Sequence, residues 1–151
     1  AVVFTDEISS SFENGLEFFS SFGGNPVSCE IGLAVLDAIE EDGLLDNARK
    51  VGDYLLSEIS RIQKDENRRP NPVIGNVRGS GLFIGIELVS DIYSREPNPE
   101  KASEVVNEMK SRGILLSTDG PDENVIKFKP PLCFTMENAK ELIEKLSSVF
   151  L

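Results

Sequence analysis

The chain has 151 residues, 40% of them apolar and 27% charged, with a formal net charge of −11 at neutral pH. That balance suits one ordinary soluble domain able to bury roughly two thirds of its unfolded surface, and the negative charge argues against nucleic-acid backbones and anionic membranes, which need clustered Lys and Arg. No histidine is present, which excludes Ser-His-Asp and Cys-His nucleophiles and His-based zinc sites.

The first residues, "AVVF", form an apolar run with the look of a strand. It starts at residue 1 without an approach segment, so residues 1–25 read as the tail end of a larger neighbouring domain and 26–151 as a domain of their own. Thr5 caps a short helix with Asp6 and Glu7 in its first turn, where the helix dipole favours acids.

The stretch "SFGGNPVSCEIG" follows, residues 21 to 32. Gly23 and Gly24 allow close approach of another chain or ligand, while Asn25 and Pro26 suit the cap and first position of a helix. Two readings fit: a tight loop ahead of a helix cap, or a loop and helix end able to hold an anion.

Beyond it, Ile31, Val35, Leu36 and Ile39 recur at helical spacing up to Gly43. A second helix carries Leu44, Leu45, Ala48, Val51, Leu55, Ile59 and Ile62 until "ENRRPNP" stops it, and the two read as a packed pair. "VIGNVRGSGLFIGIELV" reads as two strands joined by a glycine turn. Ala102, Val105, Val106 and Met109 mark a helix closed by Gly113, and "ILLS" and "NVIKF" follow as strands. Thr135 caps a last helix that turns Ala139, Leu142, Ile143, Leu146 and Val149 inward. The predicted fold class is therefore α/β (an α+β layer), with a small antiparallel or mixed sheet and helices on one face.

Cys29 and Cys133 lie far apart without metal spacing and read as reduced, buried thiols. With no apolar run near about 18 residues, this suggests an intracellular compartment, mitochondrial or cytoplasmic. Gly79, Gly81 and Gly85 are spaced one residue too wide for a dinucleotide fingerprint and lead into a strand rather than a helix. Glu40, Glu41 and Asp42 read as a solvated helix face.

In "NVIKFKPP" the two-residue period puts Ile126 and Phe128 on one face and Val125, Lys127 and Lys129 on the other. Two lysines so placed either protect a solvated edge or attract a carboxylate or phosphate.

Together, "SFGGNPVSCEIGLAVLDAIE", "VRGSGLFIGIELV" and "KFKPPLCFT" resemble three successive landmarks of the class III aminotransferases, fold-type-I enzymes that use pyridoxal 5′-phosphate. The likeness leans to the ethanolamine-phosphate phospho-lyase and alanine-glyoxylate aminotransferase-like branch. It implies that the chain holds the C-terminal small domain and the end of the large domain, and that the Schiff-base lysine lies upstream of residue 1. Ser21 and Phe22 would contact the cofactor, with Ser21 in place of the family's usual Thr serving the cofactor phosphate of the neighbouring subunit in a homodimer. Lys127 would be the substrate-binding residue, standing where amino-acid transaminases usually place an Arg. A compact ammonium is a poor replacement for that bidentate fork but a fair partner for phosphate, which points to elimination of phosphate from a phospho-amine. A transaminase of the same fold, acting on an amino-acid substrate, and a non-catalytic binding or assembly domain remain the alternatives.

Overall fold

The computed structural model describes residues 2–16 and 18–151, which form two compact units, one ending at Asp37 and one running Ala38–Leu151.

In the first unit, α1 (Asp6–Phe12) starts as expected at Thr5, whose side-chain oxygen accepts from the Ile8 N–H at 3.5 Å. The expected strand over residues 1–4 is not formed: Val2, Val3 and Phe4 lie outside any ladder, and Ala1 falls outside the described residues. A strand is held by a neighbour's hydrogen bonds, and no described residue of this unit supplies one. The helix α2 (Pro26–Glu41) appears where its periodicity predicts, yet it has no buried residue. Its Ile31, Val35 and Leu36 stand more than half exposed.

The second unit is built on α3 (Leu44–Glu66), β1 (Ile74–Ser80), β2 (Phe83–Leu88), α4 (Pro99–Ser111), β3 (Ser117–Asp119), β4 (Val125–Phe128) and α5 (Met136–Phe150). Its four strands pair antiparallel in the order β1-β2-β4-β3. The helices α3 and α4 pack on one face of the sheet, and α5 packs against both of these helices. Alternation along the strands turns Ile84, Ile86, Leu88, Ile126 and Phe128 into that layer, where they meet Leu55 and Ile59 of α3, Val105 and Met109 of α4, and Leu142 and Leu146 of α5. The last helix is capped by Thr135, as its sequence predicts, and the structure adds Asn138 to complete a capping box.

Two local devices fix the layers. Gly52 on α3 sits against the β1–β2 turn so closely that a Cβ there would lie 2.1 Å from the Gly81 carbonyl oxygen. Glu66, at the end of α3, is buried, and its carboxylate accepts from the N–H groups of Val73 (2.8 Å) and Ile74 (3.3 Å) where the chain enters β1. A buried carboxylate held by two donors anchors that entry at low desolvation cost.

The strand expected at "ILLS" is displaced to Ser117–Asp119. Ile114 and Leu116 still point inward, but β4 ends at Phe128, and Pro130 and Pro131 beyond Lys129 have no N–H to extend the ladder. The two cysteines are free as expected but exposed rather than buried. Cys29 rides on α2, which buries nothing, and Cys133 lies on the loop between Pro131 and α5. Among the described residues no helix is long and apolar enough to cross a membrane.

Candidate functional site

The sheet covers its helical face and leaves the other open. Because Ile126 and Phe128 are buried, the pleat directs Val125 and Lys127 to the open face. Register then decides their company. Arg78 pairs with Gly85, Gly85 with Lys127, and Lys127 with Ser117, so one row across the four strands reads Arg78, Gly85, Lys127, Ser117. The adjacent row on the same face reads Asn76, Glu87, Val125, Asp119.

Cations of the first row pair with acids of the second. An Arg78 Nη1 donates to Glu87 Oε2 at 2.5 Å, and the Lys127 ammonium donates to the Asp119 carboxylate. The Asp119 carboxyl is held below the usual carboxylate range by that hydrogen bond, with help from the Gly120 N–H and the Lys127 charge. Around them opens a concavity of about 260 Å³ lined by Arg78, Phe83, Asp119, Gly120, Val125 and Lys127. Lys129, just past the end of β4, holds its Nζ 6.0 Å from the centre of the exposed Phe83 ring on the same face.

The loop after Lys129 is pinned from α3. Asn47 donates through Nδ2 to the carbonyl oxygens of Leu132 (2.8 Å) and Phe134 (3.1 Å), bridging 85 and 87 residues of sequence. With the Thr135 capping box, these bonds set the course of the chain that leaves β4. Where β3 and β4 part, a smaller apolar cavity of about 150 Å³ opens between Leu116, Phe128, Phe134 and Leu142, with Lys127 and Lys129 also on its lining.

Ser21 and Phe22 belong to the first unit, on the loop before α2. Asn25 caps that helix, its Oδ1 accepting from the Ser28 N–H at 2.9 Å and its Nδ2 donating to the Phe22 carbonyl at 3.2 Å. The helix end is thus occupied by its own side chain rather than bare. Ser20 accepts from the Gly23 N–H at 3.0 Å, while the Ser21 hydroxyl and the N–H groups of Ser21 and Phe22 make no hydrogen bond among the described residues. Gly24 sits at φ 75°, which lets the loop turn without strain. One hydroxyl and two adjacent N–H groups are a donor set that fits a phosphate. Among the described residues there is no cluster of acids and cysteines able to hold a metal.

Sequence reasoning found Lys127 and Lys129 but missed Arg78, Glu87 and Asp119. Their association depends on register across three strand pairings, and the only local signal was the side-chain gap at Gly85.

The sequence profile of the family described as aminotransferase class-III matches residues 1–150. A Drosophila melanogaster protein described as alanine–glyoxylate aminotransferase 2-like is 50% identical over 145 residues, covering 95% of this chain and 28% of its own length. Among solved structures, a phospholyase from Arthrobacter in complex with phosphoethanolamine superposes with a TM-score of 0.84 at 37% identity, covering 97% of this chain and 33% of that one. An amine transaminase from an uncultivated Pseudomonas species, in its PLP-bound form, gives a TM-score of 0.74 at 34% identity, over 97% and 33%. The chain therefore spans about a third or less of the length of these relatives.

Proposed function

The chain belongs to the class III aminotransferase family, and from that footing we propose that it forms part of a pyridoxal-phosphate-dependent lyase that eliminates phosphate from a small phospho-amine such as ethanolamine phosphate. The observation that carries this reading is Lys127, an ammonium set beside a side-chain gap on the open sheet face where a bidentate guanidinium would suit a carboxylate better. The likeness to a phospholyase in complex with phosphoethanolamine supports it.

Pyridoxal 5′-phosphate, when bound, supplies an electron sink for reactions at the carbon bearing the amine. In this reading the Ser21 hydroxyl and the N–H groups of Ser21 and Phe22 hold the cofactor phosphate, across a homodimer interface. The glycines after them permit the approach. Lys127 holds the anionic end of the substrate and so fixes which face of the reacting carbon is presented. The lysine that bonds the cofactor is supplied by chain outside residues 1–151, and residues 1–151 alone are inactive.

The test is product analysis of the full-length protein with phosphoethanolamine. Stoichiometric inorganic phosphate, ammonia and aldehyde are expected, whereas amino-group exchange with a keto acid and no phosphate release would favour the transaminase reading, which the 34% identical amine transaminase supports. In the same protein Ser21→Ala removes one donor to a charged group and is expected to cost roughly 1–3 kcal/mol of cofactor affinity, read by equilibrium dialysis. Lys127→Arg should shift kcat/KM away from phosphoethanolamine and toward alanine.

A further inference from the structure

We propose that Arg78 and Lys127 act together as a two-cation seat for the phosphate end of the substrate, closing on it across the gap at Gly85, with Glu87 and Asp119 as the counter-ions that the phosphate displaces. The proposal rests on the phospho-amine reading above for its substrate, but its geometry stands on the sheet alone. Arg78 and Lys127 are both cross-strand partners of Gly85, one on each side of it. Two strand spacings put their backbones roughly 10 Å apart on one face, a span that a guanidinium and an ammonium on long stems can close around an anion of phosphate size. Between them there is no side chain, and both line the same concavity. A Cβ added at Gly85 would meet Val125 Cγ1 at 3.1 Å, so Val125 walls the gap from the neighbouring row.

The chemistry of the pair differs from that of a carboxylate site. A guanidinium offers a planar fork and an ammonium a compact point charge, and together their two charges match a dianion with three terminal oxygens. Each cation rests on an acid of the adjacent row, Arg78 on Glu87 at 2.5 Å and Lys127 on Asp119. Glu87 draws Arg78 to the adjacent row, and Asp119 on β3 draws Lys127 to the side away from Gly85. Phosphate therefore enters by exchange, the two cations leaving these acids to meet over the gap, and its affinity is set by how readily the acids give way. All four groups are solvent-accessible, which keeps such an exchange inexpensive.

This gives a signature that a structural cross-strand pair would not show. Removing a cation and removing its acid should move phosphate affinity in opposite directions. In the full-length protein, with inorganic phosphate as the probe, the dissociation constant is measured by calorimetry and as competitive inhibition. Arg78→Ala is expected to weaken phosphate at least tenfold, while Glu87→Gln and Asp119→Asn tighten it several-fold, and inhibition by acetate moves less than threefold in all three. Gly85→Ala leaves every charge in place and fills the gap, and is expected to weaken phosphate about tenfold even if an Arg78 variant fails to fold.

Unchanged phosphate binding in Arg78→Ala and Gly85→Ala, or weakening by Glu87→Gln as large as that by Arg78→Ala, would overturn the proposal and return Arg78 to a purely structural ion pair. If wild type releases no phosphate from phosphoethanolamine but the opposite shifts appear with inorganic phosphate, the seat stands and the lyase reading falls. If phosphate is released and the shifts are absent, the seat alone falls.

Discussion

Ile31, Val35 and Leu36 on α2 fall within a helical apolar pattern, as do Leu55, Ile59 and Ile62 on α3, yet the first three are 62%, 53% and 62% exposed and the last three at most 2%. Periodicity assigns side chains to one face of a helix; it does not supply what covers that face. On α3 the cover is β1 and α5, brought from residues 74 to 150 by the sheet's closure. For the part of α2 in the first unit, no described residue of that unit buries its apolar positions. Burial is a tertiary property, and the two regions separate it from the local pattern that both share.

Matched truncations would break this contrast most directly. Leu55→Ala deletes a side chain with no exposed surface and is expected to cost about 2–5 kcal/mol, the range for cavity-forming core substitutions. Leu36→Ala in the same chain should stay within about 0.5 kcal/mol, as exposed substitutions usually do. Urea denaturation of residues 1–151 measures both, and comparable losses would show that α2 is covered. Repeating Leu36→Ala in the full-length protein sharpens the point, because a cost there above about 2 kcal/mol would mean that chain beyond these residues provides the cover.

Gly52→Ala comes next. The added methyl would lie 2.1 Å from the Gly81 carbonyl oxygen, 2.3 Å from its carbon and 2.7 Å from its Cα, all backbone atoms with little room to yield. Separating α3 from the β1–β2 turn should cost roughly 1–3 kcal/mol, as overpacking does, and the same change at Gly32 on α2, where nothing lies within 4 Å, should be neutral or stabilising. A neutral Gly52→Ala in a melting experiment would mean that the helix and turn slide apart freely.

A smaller loss, about 1–2 kcal/mol, is expected for Asn47→Ala, which leaves the carbonyls of Leu132 and Phe134 without their shared donor. Hydrogen exchange should then rise in residues 129–135 before it rises in the sheet, since the loop loses its tether while the ladders keep theirs. Uniform exchange across both would show that Asn47 supports the whole unit.

Element order was legible wherever a run was long and strongly periodic. The helices from residues 26 to 66 and from 136 to 150 begin and end at the caps, glycines and proline breaks that mark them. The third strand was misplaced because its position depends on where β4 stops offering N–H groups, a fact held by prolines about fifteen residues later. The site divides in the same way. Period-2 alternation told Lys127 from Ile126, whereas the placing of Arg78 and Lys127 on either side of Gly85 needs three strands in register. Asp119 becomes Lys127's partner only because β3 pairs with β4 in that register.

The Lys127–Asp119 pair sets the lower bound of these effects. Asp119 is depressed by its bond to Lys127, by the Gly120 N–H and by the Lys127 charge. A carboxyl whose folded pKa is depressed contributes stability that is fully present above its unfolded value of about 3.9 and is lost as pH falls through the folded value. The contribution is therefore complete at neutral pH and fades only in acid, and because the pair is exposed it is small and weakened by salt. Lys127→Ala removes the first and third causes and leaves the Gly120 N–H, so the Asp119 titration midpoint, followed by carboxyl NMR, should rise part of the way to its ordinary value. Neutral-pH stability should not change measurably. An unmoved midpoint would mean that Gly120 alone holds the carboxylate, and Asp119 would then be free to serve as something other than the resting counter-ion of Lys127.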